Sequence, residues 1–263
     1  MVKLIALDLD GTLLDPNGVV TQKAKEAIRT AREAGVKVVL STGRAVPEAL
    51  YFTREAGCDE LYCCLGGAAL VDGEAGKTLL RHDIPEPSGT RVLELCLNRE
   101  IELMIFAGEQ ILLDPYSKQS LSRTYHYPVF HDNAVVTPDP IAYMKEHGLP
   151  LTKLHGDYGV FPLEELRALP GVELTSSNDH DFELVKEGVD KGKTLIQLAR
   201  YYGIAPEECA AVGDSDNDLA MLRVVGTPIA MGNASQRVKG VCCRVAPSNA
   251  QEGVAAAILS CLN

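Results

Sequence analysis

The sequence has no surplus of cations. Its 263 residues carry 25 Lys and Arg against 36 Asp and Glu, a net charge of −11. Surfaces for nucleic acid or anionic lipid need clustered positive charge, so this balance argues against both as partners. Small anionic substrates stay open, because a metal ion or a few placed donors can reverse the field within one cleft. Also missing is any apolar run near the roughly 20 residues that cross a bilayer. The short stretch Leu4-Ile5-Ala6-Leu7 after Lys3 is interrupted by Asp8 and Asp10, so it fails as the core of a signal peptide. There is no C-x-x-C pair. The eight cysteines include the neighbours Cys63-Cys64 and Cys242-Cys243, a spacing that strains a disulfide. They read as small buried apolar residues of a reducing compartment, which makes a soluble, cytoplasmic chain the expectation. Internal repeats are absent, and 46% hydrophobic with 23% charged residues excludes a disordered or low-complexity chain.

What is present is an alternation of buried strands and amphipathic helices at both ends. Lys3–Leu7 is a strand ending at Asp8; Thr21 caps a helix with Ala24, Ala27, Ile28, Ala31 and Ala34 on one face, and Gly35 stops it. Val36–Leu40 is a strand covered on both faces, Pro47 marks the first turn of the next helix, and Leu61–Leu65 is a third strand. From about His82 to Leu184 the pattern changes. Glu102–Phe106, Gln110–Leu113, Thr152–His155 and Val172–Ser176 interleave polar residues, as in an antiparallel sheet with one wet face. Alternation then resumes: helix Lys191–Tyr202, strand Cys209–Val212, helix Asp218–Val224, strand Thr227–Ala230, helix Ala234–Lys239, strand Cys242–Val245 and a last helix from Gln251. The fold class is therefore α/β, a doubly wound, Rossmann-like parallel-sheet core formed by 1–81 and 185–263 with an inserted α+β domain at 82–184.

In open parallel sheets ligands bind beyond the carboxyl ends of the strands. Here one strand ends in Asp8-Leu9-Asp10-Gly11-Thr12, another in Ser41-Thr42-Gly43, and a late one in Gly213-Asp214-Ser215-Asp216-Asn217-Asp218; Lys191 opens the helix before the last. Carboxylates gathered at one edge repel one another, and a hard divalent cation such as Mg²⁺ offsets that cost. With a cation bound, Asp8 is a nucleophile toward a phosphoryl group, while Asp10, two residues past the strand end, is placed to give a proton to the leaving oxygen and later take one from water. Gly192-Lys193-Thr194 imitates the end of a phosphate-binding P-loop, but only three residues separate Gly188 from Gly192 where that loop has four.

These strand ends resemble the haloacid dehalogenase-like hydrolase superfamily, and specifically its Cof-type phosphatases, which carry a large α/β cap (subclass IIB). The resemblance rests on Asp8–Thr12, Ser41-Thr42-Gly43-Arg44, Lys191-Gly192 and Gly213–Asp218, with Met231-Gly232-Asn233-Ala234 and Asn249–Gly253 as later signatures. It implies Asp8 as nucleophile and metal ligand, Asp10 as acid/base with its backbone carbonyl on the metal, Asp214 as a direct ligand, and Asp218 as one acting through water. It further implies Thr42, the Gly43 amide, Lys191 and Asn217 as the phosphoryl cradle. One departure is Gly66-Gly67-Ala68, where the family commonly has Asn-Gly-Ala.

The expected function is a Mg²⁺-dependent phosphatase hydrolysing a small phosphomonoester, a sugar phosphate or phosphorylated cofactor, through an aspartyl-phosphate. A phosphomutase using the same intermediate and a non-enzymatic phospho-switch are the alternatives, although a switch has no use for Asp10. Tyr116, Lys118, Arg123, Tyr125, His126 and Tyr127 either line a polar substrate pocket or form a solvated helix and turn. Arg44 either reaches toward the inserted domain or leaving group, or pairs with an acidic neighbour.

Overall fold

The computed structural model describes residues 1–97, 99–157, 159–175 and 180–262. In chain order the first elements are β1 (Leu4–Leu7), α1 (Gln22–Glu33), β2 (Lys37–Leu40), α2 (Val46–Ala56), β3 (Leu61–Cys64), β4 (Ala69–Asp72) and β5 (Lys77–Arg81). Then follow α3 (Ser88–Cys96), β6 (Glu102–Ala107), β7 (Gln110–Leu113), α4 (Pro115–Thr124), α5 (Pro128–Asn133), β8 (Ala134–Val136), α6 (Pro140–His147), β9 (Leu151–Asp157), α7 (Leu163–Arg167), β10 (Val172–Thr175) and β11 (Asp181–Lys186). The last are α8 (Lys191–Tyr201), β12 (Cys209–Gly213), α9 (Leu219–Val224), β13 (Thr227–Ala230), α10 (Gln236–Lys239), β14 (Arg244–Val245) and α11 (Gly253–Ser260). These elements form two compact units, Met1–Leu80 with Asp190–Asn263, and Arg81–Val189.

The first unit is built on a five-stranded parallel sheet in the order β14-β13-β12-β1-β2. Side chains alternate across a strand, so β1 serves both faces. Leu4 and Ala6 join a buried cluster with Leu195 and Leu198 of α8 and Leu219, Met221 and Leu222 of α9. Ile5 and Leu7 point the other way and are equally buried, and α1 and α11 pack on each other. The α1 helix forms as its sequence dictates: the Thr21 hydroxyl accepts from the Ala24 N–H at 3.2 Å, and Ala24, Ala27, Ile28 and Ala31 are its buried residues.

Several elements differ from the sequence expectation. Leu61–Cys64 does not extend the parallel sheet as a full strand. It lies beside β2 and is joined to its end by the Ser41–Cys63 bridge, and it opens a three-stranded sheet β3-β4-β5 that the Gly-rich stretch after Leu65 had masked. The last strand is only Arg244–Val245, because Cys242 and Cys243 lie in the turn before it. Helix α9 is preceded by a separate tight turn, Asp216–Asp218, and α10 starts at Gln236 because Ser235 caps it. The eight cysteines are free thiols, six of them buried.

The second unit carries a six-stranded sheet, β10-β11-β9-β6-β7-β8, antiparallel except for the β7–β8 pair. The fourth expected strand there ends at Thr175, and Ser176 lies outside the described residues. One face of this sheet packs Leu103, Ile105, Leu154, Phe182 and Leu184 into the unit's own core. No helix among the described residues is long and apolar enough to cross a membrane.

Candidate active site

The register of the parallel sheet builds the site. Leu7 pairs with Val212 on one side and Leu40 on the other, so Asp8, Ser41 and Gly213 leave their strands at the same level. The Asp8 N–H still donates to the Val212 carbonyl at 3.0 Å and the Ser41 N–H to that of Leu7 at 2.8 Å. Beyond Asp8 the chain makes one irregular turn, closed by the Leu14 N–H on the Leu9 carbonyl at 3.0 Å. Gly11 occupies it with φ +78°, a region open to glycine, and a Cβ there would stand 2.3 Å from Asp214 Oδ2. Gly213 is small for a similar reason: a Cβ would meet Asp218 at 2.7 Å.

Lys191 is the centre of charge. Its ammonium is buried and uses all three N–H donors, on Asp8 Oδ1 at 2.7 Å, Asp218 Oδ1 at 2.7 Å and Asn217 Oδ1 at 3.2 Å. Burial alone would lower the lysine's pKa, but Asp218 and Asp8 outweigh it and hold the ammonium charged well above its usual range. Asp8 is pushed the other way for a carboxyl. Burial raises its pKa well above 3.8 and the neighbouring Asp218 adds to that, with Lys191 offsetting only part. Asp214 is pushed up to about 6, again by burial first and Asp218 second. Among the described residues the cluster is therefore short of positive charge, with Lys191 paired to two of its three carboxylates.

The donors around the three carboxylates distinguish them. Asp218 Oδ2 accepts from the backbone N–H groups of Asp214 and Ser215 at 3.0 and 3.1 Å, so both its oxygens are committed to protein donors. Asp214 is held more lightly, by the Thr12 hydroxyl at 3.3 Å and the Asn233 amide at 3.2 Å. Oxygens of Asp8, Asp214 and Asp218 lie within 4.8 Å of one another. An all-oxygen set with no histidine or cysteine fits a hard cation such as Mg²⁺, and Asp8 and Asp214 are the candidates for direct ligation.

Among the other residues singled out in the sequence, Thr42 is buried at the end of β2 and its hydroxyl accepts from the Arg44 N–H at 3.1 Å. Gly43 follows in the same turn. The Asn217 carbonyl oxygen is shared by Lys191 and the Ser215 hydroxyl, the latter at 2.8 Å. The Asp10 carboxylate is turned to Arg44, which contacts it at 2.7 and 2.9 Å, and is not one of the three clustered carboxylates. Arg44 thus takes the acidic-neighbour alternative. In the second unit, Lys118 lies 3.4 Å from His131 and that imidazole 2.7 Å from the Tyr125 carbonyl, while the rings of Tyr125 and Phe130 meet at 4.9 Å. The segment with Tyr116, Arg123, His126 and Tyr127 is thereby tied from α4 to α5.

In the sequence Asn233 stands out only as part of the Met231–Ala234 signature, with no role of its own. Its amide donates to the Gly11 carbonyl at 2.8 Å as well as to Asp214, and its oxygen accepts from the Asn249 N–H at 3.0 Å. It joins the turn after β1, the turn after β12 and the start of the C-terminal segment. The signal was available, since Asn233 follows the carboxyl end of β13, the next strand over.

Known proteins resemble this chain over nearly its whole length. A family model described as haloacid dehalogenase-like hydrolase matches residues 5–258. Phosphatase YwpJ of Bacillus subtilis (strain 168) is 30% identical over 97% of this chain and 98% of its own length. The 5-amino-6-(5-phospho-D-ribitylamino)uracil phosphatase YwtE of the same organism is 28% identical over 97% and 96%. A solved haloacid dehalogenase-like hydrolase from B. subtilis superimposes with a TM-score of 0.84 at 26% identity, covering 98% of this chain and 99% of that one. The chain belongs to the haloacid dehalogenase-like hydrolase family.

Proposed function

We propose that this phosphatase hydrolyses a small phosphomonoester, a sugar phosphate or phosphorylated cofactor, by covalent catalysis at Asp8 with Mg²⁺ bound at the carboxylate cluster. The observation that carries the reading is the gathering of Asp8, Asp214 and Asp218 at the sheet's carboxyl edge, with the buried ammonium of Lys191 paired to Asp8 and Asp218. The name of the similar YwtE, a phosphatase of a phosphoribityl compound, supports a small phosphomonoester as the substrate class.

Asp8 attacks phosphorus as the ester bond to the leaving oxygen breaks, and Asp10 gives that oxygen its proton. Water then attacks phosphorus and gives a proton to Asp10 as the bond to Asp8 breaks. Lys191, Thr42, the Gly43 N–H and the Asn217 amide hold the equatorial oxygens. Lys191 has no spare donor at rest, so it exchanges a bond on binding. Its 3.2 Å contact to Asn217 is the weakest of the three, and the Ser215 hydroxyl still satisfies the Asn217 oxygen afterwards. Mg²⁺, when bound, would be held by Asp8, Asp214 and the Asp10 carbonyl, with Asp218 acting through water, and would supply the positive charge that the phosphoryl oxygens and carboxylates lack.

The test is incubation with Mg²⁺ and a panel of phosphomonoesters, reading inorganic phosphate and, after rapid quench, the mass of the peptide containing Asp8. Phosphate release with a transient phosphoryl group on that peptide is expected. Isomerised sugar phosphate in its place indicates a mutase, and a long-lived phosphorylated form without release indicates a switch. Turnover with no phosphoryl group ever found on Asp8 would sink the covalent route.

A pH dependence follows from Asp214. A protonated carboxyl does not ligate, so the rise in melting temperature on adding Mg²⁺ is expected to be large at about pH 8 and to disappear as the pH falls through about 6. Without cation the sign is opposite. A carboxyl whose folded pKa is raised from 3.8 to about 6 contributes stability that is fully present below pH 3.8 and lost as the pH rises through about 6. Thermal melts with EDTA and with Mg²⁺ across that window check both; a Mg²⁺ shift independent of pH would exclude Asp214 from the metal site.

A further inference from the structure

Arg44 is bound more firmly than a surface arginine and on both edges of its guanidinium. Its side chain is 7% exposed, and Nη1 donates to Glu48 Oε1 at 2.9 Å; Glu48, one helical turn on, is itself 2% exposed. The Phe52 ring lies 5.5 Å from the guanidinium carbon. The other edge, Nε and Nη2, makes two parallel bonds to the two oxygens of Asp10, at 2.9 and 2.7 Å. Asp10 differs in kind from its partner, because its side chain is 55% exposed. An exposed carboxylate normally samples several rotamers, and a planar fork with a fixed edge restricts it to one. Glu48 satisfies the needs of a buried arginine in part, but it accounts for only one edge.

We propose that Arg44 is a positioning residue for proton transfer: Glu48 and Phe52 fix the guanidinium, and the guanidinium fixes the direction of the Asp10 carboxylate. The inference rests on the reading of Asp10 as the acid that protonates the leaving oxygen. In that step the phosphorus–oxygen ester bond breaks, a bond from Asp8 to phosphorus forms, and the Asp10 proton passes to the departing oxygen. Arg44 neither gives nor takes a proton. Removing it leaves Asp8, the phosphoryl cradle and the metal ligands in place and lets the acid wander.

Leaving-group dependence separates this role from a structural one. The value of kcat/KM covers the steps through departure of the leaving group, so it includes the protonation of that group and excludes the later attack of water. Para-nitrophenolate leaves without help, whereas an alkoxide needs a proton. The variant is the pair Arg44→Met with Glu48→Gln, which removes both charges together and leaves no buried unpaired carboxylate. The expected result is a fall in kcat/KM of about 10- to 100-fold on glycerol phosphate, with little change on para-nitrophenyl phosphate. Arg44→Lys, which keeps the charge but not the fork, is expected to fall between the pair and the parent protein on glycerol phosphate. Asp10→Asn is measured beside them. Equal losses on both substrates, or none, in the paired variant while Asp10→Asn is selective for the alkyl ester would overturn the role of Arg44 alone. An Asp10→Asn protein with undiminished kcat/KM on glycerol phosphate would overturn the reading of Asp10, and the inference with it.

Discussion

Asp8→Asn is expected to reduce phosphate release by at least about 10⁴-fold while the protein stays folded. The two halves of that expectation come from the same geometry. Asp8 has an oxygen at the carboxyl edge of the sheet, beside Lys191 and within reach of Asp214, where a phosphoryl group would meet a cation, an acid and a nucleophile. Asparagine keeps the shape and still accepts from Lys191, but its amide does not form the acyl-phosphate bond. Stability follows the opposite course. Asp8 is almost fully buried, and its charge is opposed by burial and by Asp218. Neutralising it relieves that repulsion and leaves Lys191 with Asp218 at 2.7 Å, so without Mg²⁺ the unfolding midpoint is expected to stay level or rise. Denaturant melts in EDTA and phosphate release under saturating Mg²⁺ are the two measurements. Residual turnover of an aryl phosphate within tenfold of the parent protein would mean that water attacks phosphorus directly and that Asp8 only binds the metal.

The parts of the fold and candidate site that were legible are those set by strand ends. Buried apolar runs with their terminating Asp8, Thr42 and Asp214 can be read because a parallel sheet places all such ends on one edge, whatever the order of the strands. The order itself, with β1 central between β2 and β12, is what makes neighbours of Asp8 and Gly213, and it is invisible to periodicity. The hairpin of β4 and β5 escaped because Gly66, Gly67, Gly73 and Gly76 read as loop, whereas here they join short strands. The partner of Arg44 was legible only in half. Its i, i+4 relation to Glu48 is local, but its pairing with Asp10 follows from Leu7 and Leu40 sharing a register, after which Asp10 and Arg44 are three and four residues out from adjacent strands. Asn233 needed the same step one strand further. What the sequence withholds in each case is which ends are neighbours, a property of tertiary packing.

Lys191→Met tests the electrostatic balance of the site from the side of the cation. At present one ammonium offsets Asp8 and Asp218, both buried, and those carboxylates keep it protonated despite its burial. Substitution removes that charge directly. With methionine in its place two carboxylates face each other without a counter-charge, and the expected loss of unfolding free energy in EDTA is on the order of 3–5 kcal/mol. The carboxylates respond by binding protons, so the loss is expected to be greatest at alkaline pH and to shrink toward acid pH. Mg²⁺ neutralises the same oxygens and is expected to recover part of the stability. Activity is a different matter. In the proposed mechanism the ammonium is also a donor to the transferring phosphoryl group, and Mg²⁺ would not replace that donor, so turnover is expected to stay about 10²- to 10³-fold down even at saturating Mg²⁺. Should the single variant prove too unstable to purify, Lys191→Met with Asp218→Asn removes one buried negative charge along with the positive one and is expected to regain stability but not turnover. Stability in EDTA equal to that of the parent protein, or full recovery of turnover by Mg²⁺, would show that Lys191 neither holds the carboxylates together nor takes part in phosphoryl transfer.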